Sequence, residues 1–147
     1  MSVLQCGRFR LDLSQPRVMA IINLTDDSFS GDGLRGDLAR ALARAERALE
    51  EGAEMLDIGA ESTRPGSDPV PEAQELERVV RFVEAARGWK VPLSIDTLKP
   101  TVMRAALAAG ADMINDINAF RASGAIEAVA AGESGLCVMH MLGQPRT

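Results

Sequence analysis

The chain has 147 residues, 46% of them hydrophobic and 25% charged, the make-up of one globular domain large enough to bury a core and too apolar to be disordered. A net charge of -5, with arginines scattered rather than clustered, argues against nucleic acid as a partner. The apolar stretches are short and interrupted, and no basic patch and apolar run opens the sequence, so neither a membrane span nor a signal peptide is indicated and a cytoplasmic location is expected. Cys6 and Cys137 lie far apart without CxxC or Cys/His spacing, which reads as two free buried thiols and implies no zinc site.

In chain order, Val3 to Leu13 alternates weakly and ends in turn residues, as a short structural hairpin does. Arg17 to Ile22 is a compact apolar run that meets Asn23 and a polar, Gly-rich stretch through Gly36: a buried strand feeding a long loop. From Asp37 onward, Leu38, Leu42, Ala45 and Leu49 recur at helical spacing, and Gly52 closes that helix. Met55 to Gly59 is the next strand, followed by a second loop from Ala60 to Pro69. Pro71 opens a helix with Leu76, Val79, Val80 and Val83 as its inward stripe.

Val91 to Asp96 gives a third strand of the series. Pro100 then opens a helix whose face is Val102, Ala105, Ala106 and Ala109, with Gly110 at its end. Met113 to Ile117 is a fourth strand, Gly124 to Ala131 a weaker helix, and Leu136 to Met139 a fifth strand. Gly52-Ala53-Glu54-Met55-Leu56 and Gly110-Ala111-Asp112-Met113-Ile114 are near copies of one helix-to-strand junction, two βα units apart.

Strict βα alternation predicts an α/β protein with a parallel sheet, and the pattern fits a TIM-type barrel as well as a doubly wound sheet. A closed eight-unit barrel takes about 250 residues, so five strands and four helices are too few to close one. In either fold, ligands meet the C-terminal edge of the strands. Polar residues stand at each such end: Asn23, then Glu61-Ser62-Thr63-Arg64, Asp96, Asn115-Asp116 and His140. Any one of these is more often a cap or turn former than a ligand group. Five in succession favour a site.

Those residues carry a specific resemblance. Met19-Ala20-Ile21-Ile22-Asn23-Leu24-Thr25-Asp26-Asp27-Ser28-Phe29-Ser30 and Gly59-Ala60-Glu61-Ser62-Thr63-Arg64-Pro65-Gly66 resemble the two signatures of the dihydropteroate synthases. Ser94-Ile95-Asp96-Thr97-Leu98-Lys99-Pro100, Ile114-Asn115-Asp116-Ile117 and Met139-His140-Met141 are similar to further segments of that family in the same order. The likeness spans essentially the whole chain. It implies a TIM (β/α)8 barrel of which about five strands and four helices are present, preceded by the hairpin, with residues 1–147 as a pterin-binding domain incomplete at its C-terminal side.

The resemblance further implies the condensation of 6-hydroxymethyl-7,8-dihydropterin pyrophosphate with p-aminobenzoate in folate biosynthesis, without a covalent enzyme intermediate, in a homodimer when full length and as a sulfonamide target. Asn23 is similar to the Mg²⁺ ligand, and an amide carbonyl alongside water and pyrophosphate oxygens suits that hard ion. Thr63 and Arg64 resemble residues near the pyrophosphate and p-aminobenzoate, with Ser28, Phe29 and Pro65 beside the latter. Asp96 and Asn115 resemble the pterin-binding pair, a carboxylate that accepts and an amide that both donates and accepts. Ile117 and Met139 would wall the pterin slot. A general-base role for His140 is not assigned, because a strand-end histidine is more often structural.

Two departures stand out. Asp26 replaces the proline usual after Thr25, which removes a φ restraint from the first loop. The Asp-Pro-Gly, Ser-Arg-Lys and Arg-x-His motifs of later family segments are absent, so this chain by itself is expected to be inactive. The alternatives are a non-catalytic pterin-binding chain and a pterin-dependent methyltransferase of the same barrel family, against which the two loop signatures argue.

Overall fold

The computed structural model describes residues 2–24, 33–60 and 70–140, the side chains of 33–36 excepted. Strands β1 (Val3–Cys6) and β2 (Phe9–Asp12) form an antiparallel hairpin. There follow β3 (Met19–Asn23), α1 (Gly33–Glu50), β4 (Met55–Gly59), α2 (Glu72–Ala86), β5 (Leu93–Asp96), α3 (Pro100–Ala109), β6 (Met113–Asp116), α4 (Ala125–Ala130) and β7 (Gly135–Val138). The five strands β3 to β7 lie side by side in chain order and every neighbouring pair is parallel. This is the α/β array anticipated from the alternation of elements.

The two faces of the sheet do different work. On the face toward the helices, Ile22, Leu56, Ile58, Leu93, Ile95 and Ile114 pack with Ala41, Ala45, Val79, Phe82, Val83, Val102, Met103 and Ala106. Each fully buried aliphatic side chain contributes roughly 1.5–3 kcal/mol, so this layer carries the stability of the array. The opposite face is thereby released to hold polar groups. At its lower end Met55 and Met113 pack with Cys6, and with Leu4 and Leu11 of the hairpin, which closes the N-terminal ends of the strands.

The hairpin is held there by close backbone approach. Gly7 has φ +56, and a Cβ on it would lie 2.7 Å from the Asp112 Cα. Arg8 Nε and Nη2 donate to the two oxygens of the buried Asp112 carboxylate at 2.9 and 3.0 Å, and the Leu93 N–H donates to Asp112 Oδ2 at 2.9 Å. The repeated junctions are genuine structural equivalents: Gly52 and Gly110 have φ +111 and +120. The acid two residues later serves as a staple in both, since Glu54 accepts from Arg17 Nη1 at 2.7 Å and from the Val18 N–H at 3.1 Å.

Several boundaries differ from the sequence reading. Helix α1 starts at Gly33, a full turn before Asp37, because the first-turn N–H groups of a helix need no intrahelical partner and tolerate glycine there. Strand β3 begins at Met19, since Arg17 and Val18 are engaged by Glu54. On α2, Val79 and Val83 are buried as expected, but Glu75, Phe82 and Ala86 are too, while Leu76 and Val80 sit at the margin. On α3, Met103 is buried and Ala105 only half-buried. Strand β6 stops at Asp116, leaving Ile117 in the following turn, and β7 runs from Gly135 to Val138 rather than to Met139.

Candidate functional site

Register fixes the upper edge of the sheet. Asn23 pairs with Gly59, Gly59 with Asp96, Asp96 with Asn115, and Asn115 with Cys137. Residues paired in register on parallel strands project to one face, so these five form a row on the face away from the helices, at the C-terminal ends of the strands. The expectation that Asn23, Asp96 and Asn115 share one edge therefore holds. Gly59 leaves a gap in the row: the position its Cβ would take is 3.6 Å from the Asp96 Cβ. A larger side chain there would crowd the carboxylate.

One step lower on the same face lies a polar contact that the sequence did not announce. Asp57, 3% exposed, accepts from Ser94 Oγ at 2.8 Å and from Asn115 Nδ2 at 3.2 Å. It sits in β4 within an otherwise apolar pentapeptide, and Asn115 reaches it diagonally across β5. Burial raises the Asp57 pKa from the ordinary carboxylate value, while the hydrogen bonds from Ser94 and Asn115 pull it back.

Around the row, the backbone is pinned by polar side chains. Arg44 of α1 donates to the Asn23 carbonyl at 2.6 Å, and the Leu24 N–H to the Gly59 carbonyl at 2.8 Å. After β5, Thr97 Oγ1 donates to the buried Glu75 at 3.2 Å, and Lys99 Nζ lies 3.3 Å from Glu75 Oε2 and 2.8 Å from the Val70 carbonyl. This cluster joins the end of β5 to the start of α2. After β6, the buried Asp116 accepts from the N–H groups of Asn118 and Phe120, both at 2.8 Å, and so holds a turn in which Ala119 and Phe120 have φ +52 and +58. Asp116 is thus a turn former, whereas its neighbour Asn115 faces the row.

Ile117 and Met139 stand two positions beyond Asn115 and Cys137, just after their strands end, half-buried and 38% exposed respectively. His140 is exposed at the same end of the sheet. Ser28, Phe29, Thr63, Arg64 and Pro65 lie outside the described residues. A cavity of about 470 Å³ opens at the opposite end, lined by Gly7, Arg8, Asp112 and Glu133, and belongs to the seat of the hairpin.

Comparison with known proteins bears on this arrangement. Residues 19–147 match the family model of the pterin binding enzymes. The chain belongs to that family. It is 47% identical over 148 residues to the dihydropteroate synthase of Neisseria meningitidis serogroup B and 49% identical over 138 residues to that of Haemophilus influenzae, covering 99% and 93% of this chain. It spans about half the length of these relatives, 52% and 50%. Among solved structures, the Burkholderia cenocepacia dihydropteroate synthase complexed with 7,8-dihydropteroate superposes with a TM-score of 0.87 at 59% identity, over 98% of this chain and 48% of that one. The Xanthomonas albilineans synthase with 4-aminobenzoic acid gives 0.88 at 50% identity, over 96% and 52%. The open five-stranded array is accordingly the TIM-barrel arrangement of these enzymes, and the choice between barrel and doubly wound sheet is resolved. Among the described residues, no helix is long and apolar enough to cross a membrane.

Proposed function

We propose that this chain forms the pterin-binding half of a dihydropteroate synthase, which joins 6-hydroxymethyl-7,8-dihydropterin pyrophosphate to p-aminobenzoate to give 7,8-dihydropteroate and pyrophosphate. The observation that carries the reading is the shared row of Asp96 and Asn115 beside the gap at Gly59, on the ligand-facing edge of an array superposable on synthases with product and with 4-aminobenzoic acid. A flat heterocycle with N–H groups along one edge suits a carboxylate and an amide at one level. Ile117 and Met139 supply apolar surface above them.

The chemistry needs no nucleophilic side chain. The pterin methylene loses pyrophosphate and the aniline nitrogen of p-aminobenzoate takes its place, so the protein's task is to orient the two substrates and stabilise the departing charge. Asp96 and Asn115 hold the pterin. Thr63 and Arg64 act on the anionic oxygens, and Ser28, Phe29 and Pro65 flank p-aminobenzoate, following the family motifs. A sulfonamide, the drug class in the Yersinia pestis synthase complex, would compete for that second pocket.

Mg²⁺ would sit at Asn23, where it would neutralise the pyrophosphate. The side-chain amide oxygen of Asn23, together with water and pyrophosphate oxygens, has the hard-donor chemistry that suits this ion.

The test is a fusion of this chain to the C-terminal half of the Neisseria meningitidis relative, assayed for dihydropteroate formation with pterin pyrophosphate, p-aminobenzoate and Mg²⁺. Turnover that falls on changing Asp96 or Asn115 is expected. A folded fusion that binds no pterin overturns the reading.

A further inference from the structure

We propose that Asp57 is a positioning residue for pterin recognition, fixing which way the Asn115 amide faces. Asp57 stands one register step below the row, its buried carboxylate beside Ser94 and reaching up to one row member, Asn115. An ionised carboxylate is an acceptor only. With Oδ1 taking the Ser94 hydroxyl proton and Oδ2 taking an N–H of Asn115, the amide must present its nitrogen downward, leaving its carbonyl oxygen and second N–H for the ligand side. A neutral or apolar residue at 57 would remove that constraint, and the amide could turn over with its oxygen down. A mixed donor–acceptor edge read by Asn115 would then be met by the wrong polarity in part of the population.

Two features of the site support this function over plain packing. An acid buried in the middle of a strand is disfavoured by desolvation, and its neighbours Leu56 and Ile58 are fully buried apolar groups on the other face, so nothing in the packing of β4 calls for a charge. Its partners are drawn from two different strands, and one of them is the site amide. Ser94 has the supporting part of holding the carboxylate in the rotamer that aims Oδ2 at Asn115.

The inference rests on the pterin-binding role of Asn115. Its experiment is a double-mutant cycle on the fusion described above, with affinity for 6-hydroxymethylpterin read by calorimetry and the two Michaelis constants read separately. Asp57→Asn is expected to weaken pterin binding about tenfold and raise the Michaelis constant for the pterin substrate, with that for p-aminobenzoate unchanged. In an Asn115→Ala background the same change is expected to have almost no further effect. Ser94→Ala, which leaves the charge in place, should give a smaller loss with the same dependence on Asn115 and serves if Asp57→Asn does not fold. Losses that add independently in the Asn115→Ala background, or that fall equally on both substrates, overturn the positioning role. If Asn115→Ala leaves pterin affinity unchanged in an otherwise pterin-binding fusion, the assignment of Asn115 itself fails, and the inference with it.

Discussion

Asp96 and Asn115 are register partners on neighbouring parallel strands, and the Thr97 N–H donates to the Asn115 carbonyl at 3.2 Å, so their side chains leave one face at one level. That relationship is a consequence of backbone geometry and survives truncation of either side chain. Asn115→Ala should therefore leave the sheet intact while removing a polar partner from the ligand. An unpaired buried polar edge costs about 1–3 kcal/mol, a loss of about tenfold or more in pterin affinity. Calorimetry on the fused synthase reads this directly, and undiminished affinity in a folded variant would remove Asn115 from the site.

Gly7→Ala should be among the more damaging substitutions in the chain. The position combines φ +56 with a backbone atom of Asp112 only 2.7 Å from where the methyl would be, so neither the backbone nor the neighbour can yield cheaply. Left-handed strain in a non-glycine residue alone costs of order 1–3 kcal/mol, and the overlap adds to it. A lower denaturation midpoint with an unchanged pterin site would follow, because the hairpin closes the end of the sheet away from the row. A midpoint equal to that of the parent contradicts the seat described for the hairpin.

The stability contributed by Asp57 has a definite pH dependence. Burial raises its folded-state pKa above the unfolded value, so the folded protein binds more protons through the interval between the two. Stability therefore falls as pH rises from the ordinary aspartate range through the raised folded pKa, and is constant above it. Asp57→Asn carries no titrating group there. Relative to the parent, that variant should become progressively more stable as pH climbs through this interval. Urea titrations at pH 3, 5 and 7 are the measurement; a difference between variant and parent independent of pH would show that Asp57 is not titrating in the buried site.

Cys6 should behave as an inert thiol. It is fully buried against Met55 and Met113, and desolvation, with the Asp112 charge next, pushes its pKa from 9.0 up to about 11. Thiolate is the reactive species, so modification of the native chain at pH 8 should be slow at Cys6 and become fast on adding denaturant. Rapid labelling of Cys6 in the folded protein, located by peptide mapping, contradicts its place beneath the sheet.

Much of this architecture was legible beforehand because local signals agreed with one another. Met55-Leu56-Asp57-Ile58-Gly59 reads as a strand from its run of apolar residues and its terminal glycine, and the two Gly-Ala-acid junctions repeat because both must turn from helix to strand through a positive φ. Asn23, Asp96 and Asn115 were visible because strand alternation and strand ends are one-dimensional properties. Asp57 was not, since an acid inside an apolar run carries no sign of which strands will flank it, and its meaning depends on Ser94 and Asn115, 37 and 58 residues away. The Glu75, Thr97 and Lys99 cluster escaped for the same reason: Glu75 looks like an ordinary acid in the first turn of a helix. The early start of α1 was hidden by Gly33 and Gly36, whose effect at a helix N-terminus is far weaker than in its interior.

The two lateral edges of the array make the last prediction. On β3, Ile21 is 78% exposed, and on β7, Leu136 and Val138 are 48% and 56% exposed, so exposed apolar side chains lie on the two outer strands, which among the described residues each pair with a single neighbour. Edge strands with unpaired backbone groups and apolar side chains recruit other chains. The isolated 147-residue chain should therefore self-associate at micromolar concentration, and it should lack synthase activity because the relatives it resembles are about twice its length. Fusion to the C-terminal half of such a relative should suppress association and restore turnover together. Ile21→Lys combined with Val138→Lys separates the two effects, since charge on both edges should reduce association of the isolated chain without conferring activity. Sedimentation velocity alongside the dihydropteroate assay decides the matter: a monodisperse, catalytically competent monomer from the unfused chain would show that these edges are not open in solution and that the site is complete without further barrel units.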